Sequence, residues 1–234
     1  KEIIKSSDLI IAIGGDGTML DCSRKYGAEG VPIIGINLGN LGFLTDINPD
    51  DLTASLLKVL EGKYTTDRRF FIEVSINNEK EKYLALNEAV IHSGAVAQMI
   101  DYELFIDNNY VFSQKADGLI VSTNTGSTAY SLSGGGPIIH PELEALCILP
   151  MFPHSLSSSS LVISSKDSIQ ISLKSSRGRC KLSLDSRKTV PVKKEGIISI
   201  KQSKKYLELI HLQGYSFFSA YRNKLGWGIG IVKK

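Results

Sequence analysis

The sequence predicts an α/β N-terminal domain built on a parallel sheet, followed by a mainly β, sandwich-like second domain. Two patterns predict it. Up to about Arg68, short apolar runs of strand length alternate with stretches of helical period, as βαβ units do. Past Phe70 the period drops to two, with turn residues between the runs, as antiparallel sheets require.

Taken in order, the first domain has a strand at 9–13, a helix at 19–26, a strand at 32–36 and a helix at 50–60. Asp50 and Asp51 place negative charge in the first turn of that last helix, and Leu52, Leu56, Leu57 and Leu60 follow at helical spacing. In the second domain, residues 71–76, 102–106, 169–173 and 206–210 alternate in polarity. Asn77-Asn78, Asp107-Asn108-Asn109, Ser186-Arg187-Lys188 and Glu195-Gly196 supply turns. The serine run at 155–160 reads as a short ordered loop inside the β domain. The apolar, Gly-rich tail 221–231, with the only tryptophan, Trp227, is expected to pack back on the first domain. The expected boundaries are 1–68, joined by 219–234, for the α/β domain and 69–218 for the β domain.

A chain of 234 residues buries roughly 70–75% of its unfolded surface and needs no staples. Cys22, Cys147 and Cys180 are odd in number and scattered, so neither a disulfide framework nor a Cys-x-x-Cys metal site is suggested, and a cytoplasmic location is expected. His92, His140, His154 and His211 lack the spacing of metal ligands. Apolar runs of strand length predict neither a membrane span nor a secretory signal. A net charge of +3, with Lys and Arg dispersed, argues against a nucleic-acid partner and leaves an anionic small molecule compatible. The chain begins at Lys1, with the first strand close behind, so a natural front segment is expected to be absent.

Gly14-Gly15-Asp16-Gly17-Thr18 closes the first strand. Three glycines around one carboxylate let a polyphosphate approach bare main-chain N–H groups while Asp16 faces the reacting end. A turn that only reverses the chain, with the carboxylate capping the helix that opens near Met19, is equally compatible with this pentad alone. It is neither a P-loop nor Gly-x-Gly-x-x-Gly.

Asn87-Glu88 lies in the strand-like run 83–91, where neighbours point to opposite faces, so at least one of the pair is buried or lines a site. A pair bonded to main chain at a strand end is the plainer alternative. The segment 122–137 is more specific, because it bunches hydroxyls and glycines behind the apolar strand 118–121 and offers a short helix start at 129–132. Such a segment can put hydroxyls and N–H groups on ribose and phosphate, with Tyr130 as a flat face for a base. Asp117 and Asp185 read singly as turn residues.

Together, Gly14–Thr18, the run Gly35-Ile36-Asn37-Leu38-Gly39-Asn40-Leu41-Gly42-Phe43-Leu44, Asn87-Glu88, Asp117-Gly118 and the 125–133 segment resemble NAD kinases in order and spacing over nearly the whole chain. Diacylglycerol and sphingosine kinases share the Gly-Gly-Asp-Gly turn. They usually carry Gly-Thr-Gly-Asn-Asp where this chain has residues 39–43, so a lipid kinase is the weaker alternative.

The resemblance implies transfer of the γ-phosphoryl group of ATP to the 2′-hydroxyl of the adenosine ribose of NAD, with a divalent cation, usually Mg2+. It implies that Asp16 acts on that hydroxyl beside Gly14, Gly15 and Gly17, and that the site is completed between domains and between subunits of a homodimer or homotetramer. Asn87, Glu88, Thr128, Ala129, Tyr130, Ser131 and Ser133 would hold the adenosine half. Asp117, Lys115, Gln98 and Arg187 would lie toward the nicotinamide half. Arg187 stands where a glutamine is usual, and Ser159-Ser160 replace a common Arg-Pro. With the expected absence of a front segment, Arg187 also motivates a further alternative, an NAD(P)-binding protein that does not turn over.

Overall fold

The computed structural model describes residues 4, 6–39, 42–45, 47–95, 98–155, 158–175, 180–193 and 195–226. The chain forms two compact units, 1–69 with 206–234 and 70–205.

The first unit opens with strand β1 (Ile10–Ile13), helix α1 (Asp16–Lys25) and strand β2 (Ile33–Ile36). β1 and β2 pair in parallel from Ile10↔Ile33 to Ile13↔Ile36, and α1 is the crossover that parallel pairing demands. β2 is buried along its whole length, as a strand covered on both faces is. A Cβ on Gly35 would meet Leu44 O, Thr45 and Met19 Sδ within 2.9 Å, so only glycine lets the following loop fold back onto β2. Helix α2 (Leu52–Leu60) buries Ser55 and Val59 and half-buries Leu52 and Leu56. Leu57 and Leu60 face outward: the inner face runs through 52, 55, 56 and 59, which corrects the leucine-only stripe expected from sequence. Strand β3 (Tyr64–Ile76) then carries the chain into the second unit.

The second unit contains strands β4 (Lys82–Ala85), β5 (Glu88–His92), β6 (Ile100–Ile106), β7 (Asn109–Ala116) and β8 (Gly118–Thr123), then the short helix α3 (Tyr130–Ser133). Strands β9 (Ala145–Met151), β10 (Leu161–Ser164), β11 (Ile169–Ser175), β12 (Cys180–Leu184), β13 (Lys188–Val192) and β14 (Ile197–Leu212) follow. One sheet has the order β10-β9-β8-β5-β12-β13, antiparallel throughout. In the other, β11 lies between β14 and β6, β6 pairs with β7, and β3 pairs with β4, again all antiparallel. β8, central in the first of these sheets, is buried at every residue.

The expected continuous strand 83–91 is two strands. β4 pairs with β3 in one sheet, and β5 pairs with β8 and β12 in the other. The chain changes sheets at Leu86 and Asn87, whose N–H groups leave the ladder for a side-chain acceptor.

β14 brings the chain back to the first unit, where Leu209 pairs in parallel with Ile33. Ile210 joins Ile34, Ile36, Ile47 and Val59 in the core, with Leu9, Leu52 and Leu212 against them. Helix α4 (Phe217–Leu225) starts on Ser216, whose hydroxyl accepts the Ser219 N–H, and ends at Gly226 with φ +65°. Trp227 and the rest of the tail lie outside the described residues. No helix among the described residues is long and apolar enough to cross a membrane.

Candidate active site

The Gly14–Thr18 turn is shaped by approach distances. Gly14 donates to Ile36 O at 2.9 Å and has φ +152°, and a Cβ there would fall on the Thr18 hydroxyl. Gly15 is the cap residue of α1, and its carbonyl accepts from Thr18 and Met19 N–H. The helix thus opens at Asp16, not near Met19, and the Asp16 carboxylate does not cap it. Instead Oδ2 accepts the Phe43 N–H at 2.9 Å and Oδ1 the Leu44 N–H at 3.0 Å. A Cβ on Gly42 would sit on Asp16 Oδ1. A carboxylate has about four lone-pair directions, so the two bonds leave half of them open on a side chain that is only half-buried. Gly17 lies within the first turn of α1.

The loop that meets Asp16 is held from both ends. Asn37, buried, exchanges bonds with Gly39: Nδ2 donates to Gly39 O at 2.8 Å and Oδ1 accepts Gly39 N–H at 3.2 Å. The Phe43 ring lies 5.2 Å from the buried Tyr221 ring, with Lys224 Nζ 4.3 Å from the Phe43 centroid. Asn40 and Leu41 lie outside the described residues.

In the second unit, Asn87 and Glu88 are 8% and 2% exposed, so both members of the pair are buried. Asn87 Oδ1 and Glu88 Oε2 have no hydrogen-bond partner among the described residues. The main chain beneath them is pinned on two sides. Asp185, 1% exposed, accepts from the N–H of Leu86 (3.0 Å), Asn87 (2.7 Å) and Glu88 (3.2 Å). Thr123 Oγ1 donates to Leu86 O at 2.6 Å, Thr123 N–H donates to Asn87 O at 2.8 Å, and a Cβ on Gly126 would collide with Asn87 O. Burial, and after it the Asp185 charge, push the Glu88 carboxyl up to about 8.

The hydroxyl-rich segment divides into two groups. Thr123, Asn124 and Ser127 are buried and bonded to main chain: Asn124 Nδ2 to Pro141 O and Leu143 O, Ser127 Oγ to Asn124 O. They shape the turn. Thr128 and Ala129 are half-buried, and Ser131 is fully buried against Gly136. Tyr130, 43% exposed, and Ser133 open into a cavity of about 580 Å³ walled by Met151, Phe152, Pro153 and residues 158–160. Asn87 and Glu88 do not line that cavity.

The remaining candidates are spread over three places. Lys115 and Asp117 flank the β7–β8 step: Lys115 Nζ lies 3.6 Å from Asp101 Oδ2, and Asp117 N–H donates to Met151 O at 2.9 Å. Gln98 is exposed just ahead of β6, and Arg187 is exposed in the β12–β13 turn. Asp185 is the residue that sequence reasoning missed. Cys180, Leu182 and Leu184 set the inner face of β12, and the period-two pattern turns the next residue outward; the positive φ of Asp185 (49°) and Ser186 (51°) swings it in.

A half-buried carboxylate presented at a glycine-lined strand-to-helix step is an arrangement that a phosphotransferase can use. Family comparison resolves the class. Residues 1–64 match the ATP-NAD kinase N-terminal domain and residues 86–212 the ATP-NAD kinase C-terminal domain. The NAD kinase of Pseudoalteromonas translucida is 47% identical over 228 residues, 96% of this chain and 78% of the relative. That of Shewanella woodyi is 49% identical over 225 residues, 94% and 77%. The structure of an NAD kinase from Archaeoglobus fulgidus in complex with ATP matches at TM-score 0.78 and 31% identity, covering 97% of this chain and 84% of that one. Yeast NADH kinase complexed with NADH matches at TM-score 0.89, over all of this chain and 71% of its own; at 24% identity that likeness speaks for the fold alone. The chain belongs to the NAD kinase family. The lipid-kinase alternative finds no support.

Proposed function

We propose that this chain transfers the γ-phosphoryl group of ATP to the 2′-hydroxyl of the adenosine ribose of NAD, giving NADP and ADP. The observation that carries this within the family is the pair of buried, unpartnered oxygens, Asn87 Oδ1 and Glu88 Oε2. Buried polar atoms are nearly always bonded, so two adjacent exceptions are what a bound ligand completes. With its carboxyl raised to about 8, Glu88 is protonated at neutral pH and both donates and accepts, which suits a ribose diol or an adenine edge.

Asp16 is assigned the reacting hydroxyl. Its open lone pairs orient the secondary alcohol and take its proton as the new O–P bond forms and the bond to the ADP oxygen breaks, a contribution of roughly 10²–10⁴-fold. Main-chain N–H groups at Gly15 and Gly17 would serve the phosphoryl oxygens, with Gly14, its own N–H held by Ile36 O, keeping the approach open, and in-line positioning supplies much of the rest. Direct displacement requires no phosphoenzyme.

Thr128, Ala129, Tyr130, Ser131 and Ser133 join Asn87 and Glu88 in holding the adenosine half. Gln98, Lys115, Asp117 and Arg187 serve the nicotinamide half, with Asp117 reaching it across a subunit boundary of a homodimer or homotetramer. No cluster of three or more His, Cys, Asp or Glu that could hold a metal occurs among the described residues. One half-buried carboxylate suits Mg2+ arriving on the triphosphate, since that ion keeps water and phosphate oxygens as ligands. Bound there, it would neutralise the triphosphate, with Asp16 the residue to face it. The free thiols of Cys22, Cys147 and Cys180 fit a cytoplasmic setting.

The test is Asp16→Asn, assayed for NADP formation with saturating ATP and magnesium. The expected result is a fall in kcat of about 10²–10⁴-fold with NAD binding retained. Full activity would refute the role.

A further inference from the structure

We propose that Asp185 is a positioning residue for dinucleotide binding, fixing the Leu86–Glu88 main chain so that the Asn87 and Glu88 side chains are presented to the ligand. The inference rests on the function proposed above for Asn87 and Glu88; Asp185 itself touches no substrate.

A single buried carboxylate takes three successive N–H groups, at 2.7–3.2 Å, from the place where the chain switches sheets. Successive N–H groups of an extended strand point to opposite edges, so three that converge on one acceptor enforce a bend. The Asp185 N–H returns a bond to Glu88 O at 3.0 Å, which closes a two-way clasp between the β12–β13 turn and the start of β5. On the opposite side, Thr123 and Gly126 leave no room for the Asn87 carbonyl to rotate. A chain so fastened holds Asn87 Oδ1 and Glu88 Oε2 without hydrogen-bond partners among the described residues, which is the cost of keeping them ready for a ligand.

The same carboxylate is the charge that faces Glu88. β8, which pairs with β5, carries no titratable side chain, and on β5 and β12 the only others are His92, Cys180 and Lys181, at the far end of the pairing from Glu88. Asp185 thus helps to keep Glu88 in its protonated form.

Asp185→Asn separates positioning from bulk stability. Its amide keeps one acceptor, turns a donor toward one of the N–H groups and removes the charge beside Glu88. Expected are a rise in the KM for NAD of at least about tenfold with kcat within about threefold, and a downward move of the Glu88 titration midpoint, followed by carbon NMR in the ligand-free protein. A lowered melting temperature with KM and the Glu88 midpoint unchanged would overturn the proposal. Should the variant not fold, amide hydrogen exchange on the unsubstituted protein decides: Leu86, Asn87 and Glu88 should be protected without NAD, and exchange as fast as in an open loop overturns the clasp. Failure of the unsubstituted protein to bind NAD would instead strike the proposed function, because the exchange and titration readouts need no ligand.

Discussion

Asp16 and Phe43 are tied together across 27 residues of sequence, the Phe43 N–H donating to Asp16 Oδ2 at 2.9 Å. Leu44 does the same for Oδ1 at 3.0 Å. The carboxylate assigned to the reacting hydroxyl is therefore also the anchor of the loop behind β2. Two separate sequence motifs, 14–18 and 35–44, form one piece of structure, and the orientation of Asp16 is set by main chain that has no side-chain chemistry to vary.

Gly42→Ala follows directly. Its methyl group would occupy the position of Asp16 Oδ1, which is not a flexible side-chain end that can swing away without losing the Leu44 bond. The expected outcome is a fall in kcat of at least about tenfold, with NAD affinity retained because the residues proposed for the adenosine half lie in the other unit. Steady-state kinetics with NAD and ATP varied separately check it; unchanged kcat would mean that the loop does not aim the carboxylate.

How much of this was legible in the residues depends on the range of the interaction. The β1–α1–β2 pattern and the period-two strands are local, and the apolar period gives the order and type of these elements, though α1 opens three residues ahead of the expected start. The split of 83–91 is not local: its cause is Asp185, 97 to 99 residues further along the chain, and no window of sequence contains both partners. Likewise no neighbouring residue shows why positions 35, 42 and 126 are glycine, because each is required by an atom of a segment further along the chain or back from it. The outward rotation of Leu57 and Leu60 was hidden because leucines fill both faces of α2, and Ser55 takes a core position.

Tyr221 supports the same loop from the other side. Its ring meets Phe217 at 3.9 Å and Phe43 at 5.2 Å, so α4 braces the residue whose N–H binds Asp16. Tyr221→Ala should cost about 3–5 kcal/mol, in the range of buried aromatic truncations, and lower the melting temperature by on the order of 10 °C. It should also reduce kcat in the fraction that remains folded. Tyr221→Phe keeps the ring contacts and is expected to hold kcat within about threefold of the unsubstituted protein. Equal losses in both variants would show that the ring stack is not what steadies Phe43.

The first unit also carries a pH dependence of its own. Burial pushes the Asp67 carboxyl up, but His211 Nε2 at 3.7 Å and the Arg69 guanidinium, donating from Nε at 2.8 Å and Nη2 at 2.6 Å, outweigh it and hold the group at about 2. The folded value lies below the ordinary aspartate value of 3.8, so as pH falls the unfolded chain takes up the proton first and the folded state loses its advantage. The contribution is complete above about pH 5, worth about 2 kcal/mol, and vanishes as pH falls through about 2. Urea unfolding of the protein and of Asp67→Asn at a series of pH values reads it as a difference: the gap between them should be at least about 2 kcal/mol at neutral pH and should close toward pH 2. A gap that stays constant over that range would mean that the stabilisation comes from packing of the Asp67–Arg69 pair and not from the charge on Asp67.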